Sequence, residues 1–270
     1  MNDVYVFDTL FEKIEYPSGE FHIKLRNGSY VRLKETSLNK KTITAHIRDF
    51  NGLCETITAD KILKRVGLNV QWFIPFFPFA RDDRRHSSKD GSELELALEM
   101  VKDLDIIVAD PHSEVSETIK HSTQETSVQV FKEHGIFKPN HLAIIPDAGA
   151  TKKATTWLGG KDYVQCLKKR DPLTGKLSGF QVLTEDIKNR DCIIIDDICD
   201  GGGTFLGLAK ELKEKGAGSL TLAVTHGLFT KGTKELRRFF TNITAFGEKE
   251  NIKNVYTIPY EELLQKGKFV

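Results

Sequence analysis

The sequence has little that would tie it to an oxidising compartment, a membrane or a nucleic acid. Only four cysteines, Cys54, Cys166, Cys192 and Cys199, occur among 270 residues, and no two have CxxC spacing. That argues against a zinc ribbon or a disulfide framework and leaves a reducing cytoplasm as the expected home. No apolar run approaches the roughly 20 residues of a membrane span. The start, Met1-Asn2-Asp3, is acidic and lacks the basic opening of a signal peptide. The 39 basic and 38 acidic residues nearly cancel to a net charge of +1, which gives no field to attract nucleic acid or an anionic membrane. Repeats and low-complexity segments are absent. The length allows a good core, as one large domain or two small ones.

What is there centres on Cys192 to Ala217. Cys192-Ile193-Ile194-Ile195 is a short apolar run with β-branched residues, expected as a buried strand. The acidic pair Asp196-Asp197 follows, then Asp200-Gly201-Gly202-Gly203-Thr204. Phe205, Leu208, Ala209 and Leu212 then repeat at the spacing of one buried helix face, with Gly216 as the stop. This is neither a GxGxxG fingerprint nor a Walker loop. The glycines alone fit a mere tight turn equally well. With the acidic pair before them, they fit a phosphate held by free amides and a helix start, beside sugar hydroxyls or Mg²⁺ held by carboxylates. A ribose phosphate carries all of these groups.

The rest of the chain reads as alternating strands and helices, which predicts parallel sheets flanked by helices. Val4–Phe7 reads as a short strand. Phe21, Ile23 and Leu25 form a half-buried strand after the Tyr16–Glu20 turn, and Ile43, Ala45 and Ile47 repeat the alternation. A helix is expected over 51–66 with Asn51 as cap, and another after Ser92, which forms a capping box with Glu95. Val70 to Phe79 is a buried strand that runs into an irregular loop at Pro75 and Pro78. Further strands are expected at 105–109, 142–145, 163–167 and 220–224, with a closing strand and helix at 255–257 and 260–266. Residues 171–179, with Pro172, Gly175 and Gly179, read as a mobile loop. Gly135, Pro139 and Asn140 mark the expected boundary, giving lobes 1–135 and 136–270 with a ligand cleft between or above them.

Five strands end in charged, polar or glycine-rich segments: Phe76-Phe77-Pro78-Phe79-Ala80-Arg81-Asp82-Asp83-Arg84, Asp110-Pro111-His112, Pro146-Asp147-Ala148-Gly149, Lys168-Lys169-Arg170 and Thr225-His226-Gly227-Leu228-Phe229. With the Tyr16-Pro17-Ser18-Gly19-Glu20 turn and the Asp200–Thr204 loop, this ordered series resembles the ribose-phosphate pyrophosphokinases, over about residues 16–230. The glycine-rich loop by itself is shared with the phosphoribosyltransferases. The resemblance implies two similar phosphoribosyltransferase-like lobes. It implies that Arg81, Tyr16, Glu20, Asp82, Asp83 and His112 serve ATP, with Tyr16 and Glu20 reaching a neighbouring subunit, and hence a homo-oligomer of at least two chains. His112 and Asp147 would place Mg²⁺, the implied cofactor. Lys168 and Arg170 would be catalytic, and Asp196, Asp197, Asp200, Gly201, Gly202, Gly203 and Thr204 would hold the ribose phosphate. His226 ranks below these and fits a structural role.

The resemblance implies transfer of the β,γ-pyrophosphoryl group of ATP to the anomeric hydroxyl of ribose 5-phosphate. Several residues depart from the family. Gly201 stands where the family has threonine, Asp82 where it has glutamine and Ser18 where it has aspartate. The first turn comes early in the chain, where the family has a further strand and helix, and the C-terminal part is shorter. Glycine at 201 loses a hydroxyl donor and is expected to open space beside the phosphate. That keeps open a larger ribose 5-phosphate derivative, such as ADP-ribose, as acceptor. A non-catalytic regulatory homologue is the third reading, and the presence of Lys168 and Arg170 counts against it.

Overall fold

The structure, a computed structural model, describes residues 4–35, 41–81, 91–112, 119–122, 124–146, 158, 163–170, 177–184, 187–247 and 252–266. The chain divides into two compact units between Ser122 and Thr123. The boundary falls before the Gly135–Asn140 cluster, because the helix between them, α5 (Gln124–Glu133), packs with the second unit. Its Ser127 Oγ accepts a buried hydrogen bond from Thr225 Oγ1 of the second unit at 3.0 Å.

The first unit holds a five-stranded parallel sheet in the order β1-β4-β5-β6-β7: β1 (Val4–Val6), β4 (Lys41–Thr44), β5 (Val70–Ile74), β6 (Ile106–Ala109) and β7 (Lys120–Ser122). Between β1 and β4 come a short helix, α1 (Phe7–Leu10), an antiparallel hairpin, β2 (Phe11–Glu15) and β3 (Phe21–Leu25), and α2 (Ser29–Glu35). In β4, Thr42, Ile43 and Thr44 are all buried, so the expected in–out alternation is absent. The strand lies between β1 and β5 and is covered on both faces, the usual fate of a parallel strand. Helix α3 (Phe50–Arg65) is capped by Asp49, whose carboxylate accepts the Gly52 N–H at 3.0 Å, rather than by Asn51. Helix α4 (Glu93–Val101) starts as expected, with Ser92 Oγ accepting the Glu95 N–H.

The second unit holds a seven-stranded sheet in the order β10-β9-β8-β11-β12-β13-β14. Its strands are β8 (Leu142–Ile145), β9 (Tyr163–Arg170), β10 (Leu177–Val182), β11 (Cys192–Cys199), β12 (Leu220–Gly227), β13 (Asn242–Gly247) and β14 (Tyr256–Pro259). Every pairing is parallel except β9 with β10. Helices α6 (Gly203–Glu214) and α7 (Glu261–Lys266) accompany α5. Phe205, Leu208, Ala209 and Leu212 form the buried face of α6, as their spacing predicts. Its Gly207 meets the Phe180 ring of β10 so closely that a Cβ there would lie 2.6 Å from the ring. Strand β10 is a correction. Part of 171–179 is strand from Leu177 onward, because Leu177–Val182 pairs back onto β9, and 171–176 lie outside the described residues. The core strand also runs further than Ile195, through the acidic pair to Cys199, because β12 keeps pairing with it.

No helix among the described residues is long and apolar enough to cross a membrane. All four cysteines are free, and three are buried. Burial pushes the thiols of Cys166 and Cys199 up to about 12 and that of Cys192 up to about 11. Groups with raised values stay protonated, and hence poor nucleophiles, at pH 8. Maleimide labelling of the native chain at pH 8 should therefore modify the half-buried Cys54 alone, and all four thiols in denaturant. Rapid native labelling of Cys166 or Cys192 would contradict this burial.

Candidate active site

The second sheet has a switch point between β8 and β11. From β8 the chain steps to β9 on one side; it later returns to β11 on the other. Connections that leave in opposite directions open a crevice at the carboxyl ends of the two strands. Strand β8 pairs with β11 only as far as Ile194, whereas β12 follows β11 to Cys199. Asp196 and Asp197 therefore sit where β11, among the described residues, has a sheet neighbour on one side only. Neighbouring residues of a strand point to opposite faces. Asp197 is 5% exposed and Asp196 is half-buried, its Oδ1 accepting the Asp197 N–H at 3.0 Å. The Cys199 thiol is raised first by burial and then by the charges of Asp196 and Asp200.

The loop after β11 turns on Gly202, at φ +76°, directly before α6. Its N-cap residue, Gly202, has no side chain to cap this helix start. The amides of Gly203, Thr204 and Phe205 are first-turn donors, beyond the reach of intrahelical carbonyls. A carboxylate pair beside uncapped amides and the positive end of a helix is suited to an anion that also carries hydroxyls. The structure thus brings together Asp196, Asp197, Asp200, Gly201, Gly202, Gly203 and Thr204. The space expected beside Gly201 is not open, however. A Cβ there would lie 3.4 Å from Cδ and Cε of Lys231.

That lysine arrives on the segment after β12, which folds onto the glycine-rich loop. The Leu228 and Phe229 N–H groups both donate to the Cys199 carbonyl, at 2.9 and 3.0 Å. Thr230 donates twice to Asp200, from its N–H to the carbonyl and from Oγ1 to Oδ1 at 2.8 Å. Phe229 is buried at φ +42°, and its ring lies over Gly227, where a Cβ would come within 2.2 Å of it. The Thr-His-Gly-Leu-Phe series is thus an anchoring device. His226 is 2% exposed, with Nδ1 3.2 Å from the Tyr260 hydroxyl, in keeping with its structural reading.

In the first unit the candidate residues stand at separate sheet ends and turns. Tyr16 and Glu20 lie on the exposed β2–β3 turn, closed by Gly19 N–H to Tyr16 carbonyl at 2.9 Å, with Ser18 Oγ donating to Glu20. Arg81 ends a 3-10 turn, Pro78–Arg81, whose Phe79 packs on Phe50 and Phe77 with ring centroids 4.4 and 5.5 Å away. The buried aromatics fix the turn and leave Arg81 exposed. His112 is exposed just beyond β6. Ahead of it Asp110 is buried at φ +35°, and its N–H donates to Ser122 at both carbonyl and Oγ. Non-glycine residues rarely adopt such a backbone, and it clusters at functional sites. A polar cavity of about 60 Å³, lined by Asp8, His46, Glu55 and Thr56 among others, lies at the ends of β1 and β4. It has room for a few waters but not for a nucleotide.

Asp82, Asp83 and Asp147 lie outside the described residues. The backbone of Lys168 and Arg170 belongs to β9 rather than to a loop, paired with Phe180 and Leu177 of β10; their side chains lie outside the described residues. Sequence reasoning placed Asp110 in the Asp110-Pro111-His112 segment without giving it a role, and singled out none of Ser122, Thr230 and Lys231. Asp110 gave one signal, an aspartate before proline at a strand end.

Residues 159–258 match the family model described as a phosphoribosyl transferase domain. The ribose-phosphate pyrophosphokinase of Ureaplasma parvum serovar 3 is 30% identical over 197 residues, covering 68% of this chain and 59% of that protein. That of Corynebacterium efficiens is 25% identical over 258 residues, covering 88% and 79%. Among solved structures, the phosphoribosylpyrophosphate synthetase of Mycobacterium smegmatis is similar in fold. Its TM-score is 0.72 at 19% identity, over 97% of this chain and 96% of that one.

Gly202 is required by both its backbone and its neighbours, since a Cβ would also lie 3.3 Å from the Leu236 methyls. Gly202→Ala should lower the unfolding free energy by about 1–2 kcal/mol. Gly203→Ala, with nothing within 4 Å of the new methyl, should stay within about 0.5 kcal/mol of the parent. Urea denaturation checks both, and equal effects would show that the loop is not held as described.

Proposed function

Starting from the chain's membership of the ribose-phosphate pyrophosphokinase family, as a divergent member, we propose that it transfers the β,γ-pyrophosphoryl group of ATP to ribose 5-phosphate. The observation that carries this reading is the Asp196-Asp197 pair beside an uncapped helix start at the sheet's switch point. The amides around Gly202–Thr204 hold the 5-phosphate, and the carboxylates hold the ribose hydroxyls. Arg81 grips the nucleotide, as a guanidinium can bind phosphate or stack on a base. The exposed Tyr16–Glu20 turn serves the nucleotide of a neighbouring copy, in a homo-oligomer of at least two chains, and Asp82, Asp83 and His112 complete the ATP side.

The anomeric hydroxyl oxygen forms a bond to the β-phosphorus, and the bond from that phosphorus to the oxygen shared with the α-phosphate breaks. AMP leaves with that oxygen, and the hydroxyl proton passes to water. The products are phosphoribosyl pyrophosphate and AMP. Phosphoryl transfer of this kind depends on positioning and charge neutralisation, which are the tasks of Lys168 and Arg170.

Mg²⁺ is the implied cofactor. Among the described residues no group of three metal-ligating side chains gathers. The adjacent carboxylates of Asp196 and Asp197 still fit this ion, which commonly takes one or two carboxylates and completes its shell with water and substrate phosphates. Asp196 and Asp197 would hold it beside the ribose, and the family resemblance adds His112 and Asp147 as its residues. When bound, it neutralises phosphate charge and lowers the pKa of the attacking hydroxyl.

The test is AMP release from ATP and Mg²⁺, with ribose 5-phosphate and ADP-ribose in parallel and the product identified by mass. AMP should appear with ribose 5-phosphate, and a product heavier by one diphosphate. AMP with ADP-ribose alone would move the acceptor to a larger derivative, and AMP with neither would end the reading. Lys168→Ala and Arg170→Ala should each lower kcat by about 10²–10³-fold with the KM for ATP nearly unchanged. Unaltered turnover would remove the residue from the mechanism.

A further inference from the structure

One cation beside the glycine-rich loop has no task in the reaction as described. Lys231 is exposed, and among the described residues its ammonium pairs with no carboxylate. Its stem nevertheless has a defined place. Cδ and Cε lie 3.4 Å, and Cγ 3.7 Å, from the point where a Cβ on Gly201 would stand. A Cβ on Gly201 would stand in van der Waals contact with that stem, so the lysine lies along the bare backbone of the loop.

The chain on either side holds it there. Thr230, the preceding residue, donates twice to Asp200, and the Gly232 N–H that follows returns to the Phe229 carbonyl at 2.7 Å. Phe229 itself is anchored by its buried ring and its bond to the Cys199 carbonyl. A strand-end segment fixed at Asp200 on one side and at Phe229 on the other therefore delivers one ammonium to the rim of a cradle otherwise made of amides and the Thr204 hydroxyl. A lysine is a compact charge with three rotatable donors on a flexible stem, well suited to a phosphate approached from the side.

We infer that Lys231 is a specificity-determining residue whose ammonium contacts the phosphate on the 5-position of the acceptor's ribose. This rests on the proposal that the Asp200–Thr204 cradle holds that phosphate. The shared chemistry is a ribose 5-phosphate group, and two sources carry it: the monoester of ribose 5-phosphate and the diester of ADP-ribose. The contact joins the segment after β12 to the β11 loop across Gly201, so glycine at 201 and lysine at 231 act as a pair.

The test uses the full chain with Lys231→Met, which keeps the stem on Gly201 and removes the charge, and Lys231→Arg, which keeps the charge. Binding of ribose 5-phosphate and of ADP-ribose is measured by calorimetry, and kinetics are measured with each. Lys231→Met should raise the Kd and KM for the acceptor about tenfold, and weaken their salt dependence. The kcat, the KM for ATP and the Tm should hold, and Lys231→Arg should recover most of the affinity. The acceptor so affected names the source. Unchanged acceptor affinity in Lys231→Met, or an equal loss for ATP, overturns the inference. Binding without turnover would sink the proposed reaction yet still test Lys231. Failure of the parent chain to bind either compound would overturn both.

Discussion

The candidate site depends on a constraint of parallel sheets: where connections leave two neighbouring strands in opposite directions, their carboxyl ends stay uncovered. Here the neighbours are β8 and β11. Strand β11 outruns its pairing with β8 and carries Asp196 and Asp197 into the gap, while β12 stays paired with it to Cys199. Paired on both sides over this stretch, β11 would offer the carboxylates no such crevice. The helix start at Gly203 then supplies amide donors within one turn of the chain.

A second layer of control comes from the segment after β12. It reads as a polar loop, but its backbone and Thr230 are tied to Cys199 and Asp200, and Phe229 seals it over Gly227. The glycine-rich loop is thereby braced from outside its own sequence, which a site built on bare backbone requires. In the first unit, buried side chains likewise hold exposed ones. Phe50, Phe77 and Phe79 fix the turn that presents Arg81, and Ser122 holds the strained Asp110 before His112.

Local pattern determined much of this protein. The apolar run at 192–195, the spacing of Phe205, Leu208, Ala209 and Leu212, and the Ser92–Glu95 cap all carry their own structural instruction, because each interaction is satisfied within a turn or two of chain. The order of charged strand ends also sufficed to identify the family. Tertiary structure decided the rest. Whether β4 alternates or is buried on both faces depends on its two sheet neighbours. Whether Leu177–Val182 is loop or strand depends on β9, and where the units divide depends on what α5 packs against. The space beside Gly201 looked open because sequence shows the missing side chain and not the lysine thirty residues on that fills it. Local periodicity encodes which faces seek burial; only the folded chain determines which distant groups meet them.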